Sequence, residues 1–138
     1  MAAKEMVLYY QPAKEKEAGN ASKAAKLKGV LIRMGVRIKN ITPEQTGQTI
    51  GYLAGFDGFD EMEPQEGSVA PEIDEEMLVM KNFTNRRIDE LLVGLRRAGV
   101  PKIELKAVVT ETNFGWSFYA LYEELKKERE AMTKKEED

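Results

Sequence analysis

Apolar residues of the first half follow the order expected for alternating strands and helices. An apolar run covers residues 6–10, and residues 27–34 place apolar side chains three and four positions apart. Residues 36–41 then alternate between apolar and polar. Apolar spacing of three and four predicts a helix with one buried face, whereas short apolar or alternating runs predict strands. Thr42, followed by a proline at the first helical position, predicts the start of a second helix that ends near residue 55.

The second half repeats this order. Residues 77–80 form a continuous apolar run, residues 88–95 have helical spacing, and residues 103–109 form a mostly apolar stretch that includes Glu104 and Lys106. A last helix is predicted from about residue 113, with an apolar and aromatic face as far as residue 125. The chain therefore reads as a duplicated β-α-β-α unit, in which two copies close a core that neither closes alone.

Four strands alternating with four helices predict the α/β class, because parallel neighbours need helical crossovers. For two related halves we expect a four-stranded, mostly parallel sheet in the order 2-1-3-4 with helices on both faces. The alternative is a mixed sheet with helices on one face. It stays open because the alternation over residues 36–41 is typical of a half-exposed edge strand.

The charge distribution separates the halves. Residues 56–76 contain nine acidic residues and no basic residue, whereas the chain as a whole has a net charge of −3. We predict one domain over residues 1–138, with halves at 6–55 and 77–132 joined by an acidic linker at 56–76. The mostly polar end at 133–138 is predicted to be a disordered charged tail.

The chain has neither cysteine nor histidine. Disulfides, thiolate nucleophiles, zinc-thiolate sites and the commonest general acid or base are therefore excluded, which argues against an enzyme. No metal and no cofactor is predicted. No apolar stretch is long enough to span a membrane, and the first residues do not form a signal peptide, so a cytoplasmic location is expected.

Polar side chains follow the predicted strands, and in open α/β sheets ligands bind beyond the carboxyl ends of the strands. We expect these side chains to surround one crevice and to bind a ligand. The candidate ligand-binding residues are Gln11, Thr42, Gln45, Asn82, Thr84, Asn85, Arg86, Arg87, Thr110, Asn113 and Trp116.

Several of these candidates also have a structural explanation. Arg86 and Arg87 would lie in the first turn of a helix, where cations oppose the helix dipole, so a negative group is expected nearby. That group is either the acidic linker or a bound anion or acidic partner. Threonine before a helix is explained by capping alone, and Trp116 by burial in the core.

Two basic segments hold matched places in the halves. They comprise Lys23, Lys26, Lys28, Arg33, Arg37 and Lys39, and Arg86, Arg87, Arg96, Arg97, Lys102 and Lys106. Solvated helix faces explain such charge, and the alternative is an electropositive surface for RNA, DNA or an acidic protein. No nucleic-acid motif and no glycine-rich phosphate loop occurs, so nucleic acid is the less favoured partner.

Three stretches carry a resemblance to a known family. Residues 26–39 read KLKGVLIRMGVRIK, residues 50–55 read IGYLAG, and residues 105–113 read LKAVVTETN, with Trp116 following. The chain resembles the bacterial family catalogued as domain of unknown function 3783, its second half being similar to the named domain. The resemblance implies a bacterial, cytosolic protein and directs attention to Thr110, Asn113 and Trp116, without implying a mechanism.

Together these features predict an uncharacterised binding or regulatory module for a small anion or a protein partner. The alternatives are an enzyme acting on a phosphorylated or carboxylated small molecule and a nucleic-acid-binding protein. A homodimer is compatible with the glycine-rich and aromatic faces, although nothing in the sequence fixes it.

Overall fold

The computed structural model describes residues 5–12, 21–56, 58–61, 73–100 and 102–137, which form a four-stranded sheet flanked by helices. The strands are β1 (Met6–Tyr10), β2 (Arg37–Asn40), β3 (Met77–Lys81) and β4 (Leu105–Val108). The helices are α1 (Ala21–Met34), α2 (Ile50–Leu53), α3 (Asn85–Arg97) and α4 (Phe118–Glu137), with a 3-10 turn at Pro43–Gln45. The strand order is β2-β1-β3-β4, which confirms the predicted α/β class and the order 2-1-3-4.

The sheet is mixed at its centre. β1 pairs with β2 and β3 pairs with β4 in parallel, but β1 and β3 run antiparallel. The sheet is thus mostly parallel, as predicted. The expectation that the carboxyl ends of all four strands lie at the same end of the sheet is wrong, because the strands of the second half run opposite to those of the first.

Helices cover both faces of the sheet, as predicted. α1 and α3 pack on one face, where Val7 and Tyr9 of β1 meet Leu78 and Met80 of β3. α2 and α4 pack on the other face against the alternate strand residues. Since neighbouring strand residues point to opposite faces, each apolar central strand serves two cores at once.

The hydrogen bonds of the first half recur in the second half. The two sets are related by an approximate two-fold rotation centred between Leu8 and Val79, which are partners in the central antiparallel pair. The Ile41 amide donates to the Tyr9 carbonyl at 2.8 Å, and 68 residues later the Val109 amide donates to the Met80 carbonyl at 2.8 Å. Such matched bonds are what a two-fold relationship between the halves requires.

The helix ends repeat as well. Gly35 ends α1 with φ 73° and Gly99 follows α3 with φ 82°, the left-handed conformation that glycine adopts without strain. The next residue closes each turn, with the Val36 amide bonded to the Leu31 carbonyl at 2.9 Å and Val100 repeating the bond at 2.9 Å.

The segments after β2 and β4 cross the α2/α4 face and meet. Thr49 and Ser117 form an isolated antiparallel bridge. The Ile50 amide donates to the Trp116 carbonyl at 2.8 Å, and the Phe118 amide donates to the Gln48 carbonyl at 2.9 Å.

These bonds explain why two helices differ from their predicted bounds. A helix predicted from Pro43 is instead a 3-10 turn followed by the short α2, and the helix predicted from Asn113 begins at Phe118. At both places amides that would continue a longer helix bond across to the other half instead.

The last helix continues through Glu137, into the segment that the sequence assigns to a disordered tail. Residues 62–72 of the predicted acidic linker lie outside the described residues. In the part of the chain that the structure describes, no helix has the length and apolar character needed to cross a bilayer.

Candidate functional site

The antiparallel central pair places the predicted site residues at opposite ends of the sheet. Gln11, Thr42 and Gln45 lie at the end where β1 and β2 finish, whereas residues 82–87 and 110–113 lie where β3 and β4 finish. The single crevice expected from the sequence is therefore not formed. Parallel strands would have brought the four loops together, but the reversed second half separates them.

Two of the predicted polar pairs are bonded within their own turns. The Gln45 side-chain oxygen accepts from the Thr42 amide at 2.9 Å, and the Asn113 oxygen accepts from the Thr110 amide at 2.9 Å. Asn113 is buried, and its side-chain NH₂ donates to the Val108 carbonyl at 3.0 Å. Local turn formation accounts for these side chains. The capping explanation holds at Thr42, where a 3-10 turn begins, whereas Thr110 is followed by a turn and the next helix begins only at Phe118.

The other uncharged candidates occupy varied places. Thr84 caps α3 by accepting from the Arg87 amide at 3.2 Å. Asn82 is exposed with φ 63°, Asn85 is exposed at the start of α3, and Gln11 is buried beside the end of β1. Trp116 is half-buried against the core of the α2/α4 face, as its core explanation predicts.

Arg86 and Arg87 differ sharply although they are neighbours. The Arg86 side chain is 89% exposed and its described ion pair, to Glu90, is 3.4 Å long. The Arg87 side chain is 27% exposed and bonds both carboxylate oxygens of Glu5, with distances of 2.8–3.2 Å. It also donates to the Met34 carbonyl at 2.6 Å, at the C-terminal end of α1.

The negative groups near Arg87 in the described structure are Glu5, just before β1, and Glu90 of α3 at 2.7 Å, and the carbonyl end of α1 adds to them. Hydrogen bonds to Glu5 hold the pKa of Arg87 above its ordinary value, against the smaller opposing effect of burial. Arg87 thus joins the two halves, and its charge is already compensated.

The same ion pair occurs at the matched place in the other half. Lys23, in the first turn of α1, bonds Glu76 at 2.6 Å just before β3, and the Tyr9 hydroxyl donates to the same carboxylate. Sequence reasoning missed this pair of contacts. The available signal was an acid directly before each of the first and third strands, Glu5 and Glu76, with a cation in the first turn of each following helix.

Six of the twelve residues of the predicted basic segments are exposed on α1 and α3, whose outer surface we call the basic face. Six exposed bases lie there with two exposed acids, Asp89 and Glu90. The bases are Lys26, Lys28 and Arg33 on α1, and Arg86, Arg96 and Arg97 on α3.

Close helix packing places two of these bases together. A Cβ atom added to Gly94 would lie 3.0 Å from Val30, so α1 and α3 approach closely there. Arg33 and Arg97 then line one shallow groove of about 290 Å³ between the helices, together with Glu90.

Apolar residues interrupt this charge. The Ile32 side chain is 72% exposed on α1 and Leu92 is 37% exposed on α3. Neither helix contains an aromatic residue. The basic face therefore offers cations and aliphatic surface, but no aromatic rings on which nucleobases could stack.

A separate ion pair lies on the opposite face. Arg129 of α4 bonds both oxygens of Glu75, at 2.7 and 3.0 Å, and these hydrogen bonds hold the pKa of Glu75 below its ordinary value. In the part of the chain that the structure describes, no group of three or more carboxylates is arranged to hold a metal ion.

Residues 76–132 match the sequence model of the family described as Domain of unknown function (DUF3783). The family match expected from the sequence is thereby confirmed for this region. The DUF3783 region contains β3, α3, β4 and most of α4, so it includes Arg87 and half of the basic face. No curated protein and no solved structure matches the chain.

Proposed function

We propose that the chain is a non-catalytic binding module that holds an acidic protein partner on its basic face. The observation that carries this proposal is the gathering of six exposed bases from both halves on the surface of α1 and α3. Such a surface raises the local concentration of an acidic partner and speeds its association. Arg87 and Lys23 belong to the fold in this proposal, since each already has a carboxylate partner.

A small anion at the strand ends is less favoured, because the polar side chains there are divided between two ends of the sheet. Thr42 with Gln45 and Thr110 with Asn113 also bond within their own turns. A binding role without turnover is favoured over an enzyme, since the sequence lacks histidine and cysteine.

Nucleic acid is a second candidate because the same charges would attract phosphates. Two features favour protein instead. Neither α1 nor α3 contains an aromatic ring on which nucleobases could stack, and exposed Ile32 and Leu92 suit apolar contacts of a protein interface.

Fluorescence anisotropy with a labelled poly-glutamate peptide tests the proposal. We expect binding that weakens as salt rises. The double variant Arg33→Glu, Arg97→Glu should lose about tenfold or more in affinity, because two cations within one groove become anions. Lys127→Glu on α4 is the matched control, since Lys127 is exposed on the other face. Its affinity should remain within about twofold.

No binding at low salt, or an equal loss in both variants, would overturn the proposal. Tighter binding of a single-stranded RNA with the same number of charges would replace the protein partner by nucleic acid. Turnover of a phosphorylated or carboxylated metabolite that binds the protein would restore the enzyme alternative.

The matched hydrogen bonds and ion pairs support our inference that the two halves arose by duplication of one β-α-β-α unit. A cytoplasmic location and a homodimer stay predictions from the sequence. Light scattering on the purified chain tests the dimer directly.

A further inference from the structure

A second groove lies along the outer side of α3, between this helix and β4. It has a volume of about 750 Å³, and its floor is apolar, formed by Leu92, Val93, Val100 and Ile103 among others. The groove is open to solvent, as the 37% exposure of Leu92 indicates. An open apolar floor suits a side chain presented by another protein better than an enclosed small molecule.

Cations dominate the rim of this groove. Arg96, Lys102 and Lys106 all line it, and Asp89 is the one acid among its described lining residues. Arg96 also belongs to the basic face, so the groove continues that surface around the side of α3. An apolar floor inside a cationic rim is complementary to an apolar side chain flanked by carboxylates.

Lys106 is the unusual residue of the groove. It is paired with Leu78 in the sheet, as Ile38 is paired with Val7 at the matched place in the first half. Ile38 packs against the core of the α1/α3 face, so the same position carries an apolar side chain in one half and a cation in the other.

Burying part of a charged ammonium group at this position costs free energy. Burial, with a smaller contribution from Lys102, holds the pKa of Lys106 below its ordinary value. Its ammonium group donates to the Ile103 carbonyl, which keeps it beside the apolar floor. A fold that needed only packing here would be served by isoleucine, as the first half demonstrates.

We propose that this groove is the anchor point for the acidic partner, taking one large apolar side chain on its floor and a neighbouring carboxylate on Lys106. The inference rests on the proposed function and adds to it a recognition rule. The partner segment carries an aliphatic or aromatic residue between acidic residues. The basic face would then attract the segment, and the groove would select it.

Two labelled peptides of equal charge test the rule, Glu-Glu-Leu-Phe-Glu-Glu and Glu-Glu-Ser-Ser-Glu-Glu. We expect the full chain to bind the first about tenfold more tightly, as burial of one large apolar side chain warrants. Leu92→Ser should reduce that preference severalfold, because it removes part of the floor at an exposed position. Met132→Ser, at a 65% exposed position of α4 that does not line the groove, is the matched control and should leave the preference unchanged.

Lys106→Ile separates recognition from folding. The variant copies the first half, so its melting temperature should equal or exceed that of the parent chain, while its affinity for the Leu-Phe peptide should fall about threefold or more. Lys127→Ile on α4 is the control and should bind as the parent does. Unchanged affinity in Lys106→Ile would overturn the role of this lysine.

The outcomes distinguish the two proposals. Equal binding of both peptides would overturn the anchor groove and leave the acidic-partner proposal standing. Failure of both peptides and of poly-glutamate at low salt would overturn both.

Discussion

Replacing Arg87 by methionine should destabilise the fold far more than the same change at Arg86. Methionine preserves most of the aliphatic length and removes the guanidinium group, so the comparison isolates charge and hydrogen bonding. Arg86→Met is the matched control, because Arg86 is the preceding residue of the same helix and its side chain is 89% exposed.

The expected size follows from the contacts. Removing one partner of a fully buried ion pair costs roughly 3–5 kcal/mol, whereas an exposed pair contributes about 0–1 kcal/mol. The Arg87 and Glu5 side chains are 27% and 18% exposed, so the pair lies between these limits. Arg87→Met also leaves the Met34 carbonyl without this donor. We therefore expect a loss of about 2–3 kcal/mol in unfolding free energy, against at most ~0.5 kcal/mol for Arg86→Met.

Urea denaturation followed by circular dichroism measures the unfolding free energy of both variants. The melting temperature of Arg87→Met should lie about 6–9 °C below that of the parent chain, at roughly 3 °C per kcal/mol for a domain of this size. The double variant Glu5→Gln, Arg87→Met completes a thermodynamic cycle. A coupling energy of about 1–2 kcal/mol is expected between the two positions. Equal losses at Arg87 and Arg86, or additive effects in the cycle, would refute the idea that this ion pair joins the halves.

Two further variants probe packing and titration on the α2/α4 face. Gly51→Ala should cost about 1–3 kcal/mol in urea denaturation, because the new Cβ would lie 2.5 Å from the Phe59 ring. Gly47→Ala, where no atom lies within 4 Å, should be close to neutral, and equal costs would contradict the packing argument. Glu75→Gln should destabilise the protein at neutral pH and match the parent once the pH falls well below about 4.5. A carboxylate whose folded pKa is lowered stabilises above its ordinary pKa and loses that effect as it is protonated. A constant difference in melting temperature between about pH 3 and 7 would show that the Arg129 pair is not responsible.

The sequence was sufficient to predict the four strands, two of the helices and the order of the strands in the sheet. Apolar spacing at 27–34 and 88–95 identified α1 and α3, and apolar or alternating stretches identified the strands, because burial imposes these periods directly. The orientation of one half relative to the other was not predictable in this way. A central strand covered on both faces has the same apolar pattern whether its neighbour is parallel or antiparallel.

That one orientation decided the outcome for the candidate site. The turns containing Thr42 and Thr110 were correctly located after their strands, but they lie at opposite ends of the sheet. Negative partners exist for Arg87, and one of them, Glu5, is 82 residues away in sequence. Contacts between positions so far apart depend on tertiary arrangement, which local patterns do not encode. The basic face was predictable as two segments, and their meeting on one surface was not.

The central β1–β3 pair also constrains how the chain acquires its structure. β1 is completed at Tyr10, but its antiparallel neighbour ends only at Lys81. During synthesis the first strand therefore lacks one of its two sheet neighbours until some seventy more residues have left the ribosome. Closing so large a loop must precede the contacts between the two halves, which slows folding. Chaperones that hold nascent chains would meet this protein with an uncovered strand edge for much of its translation.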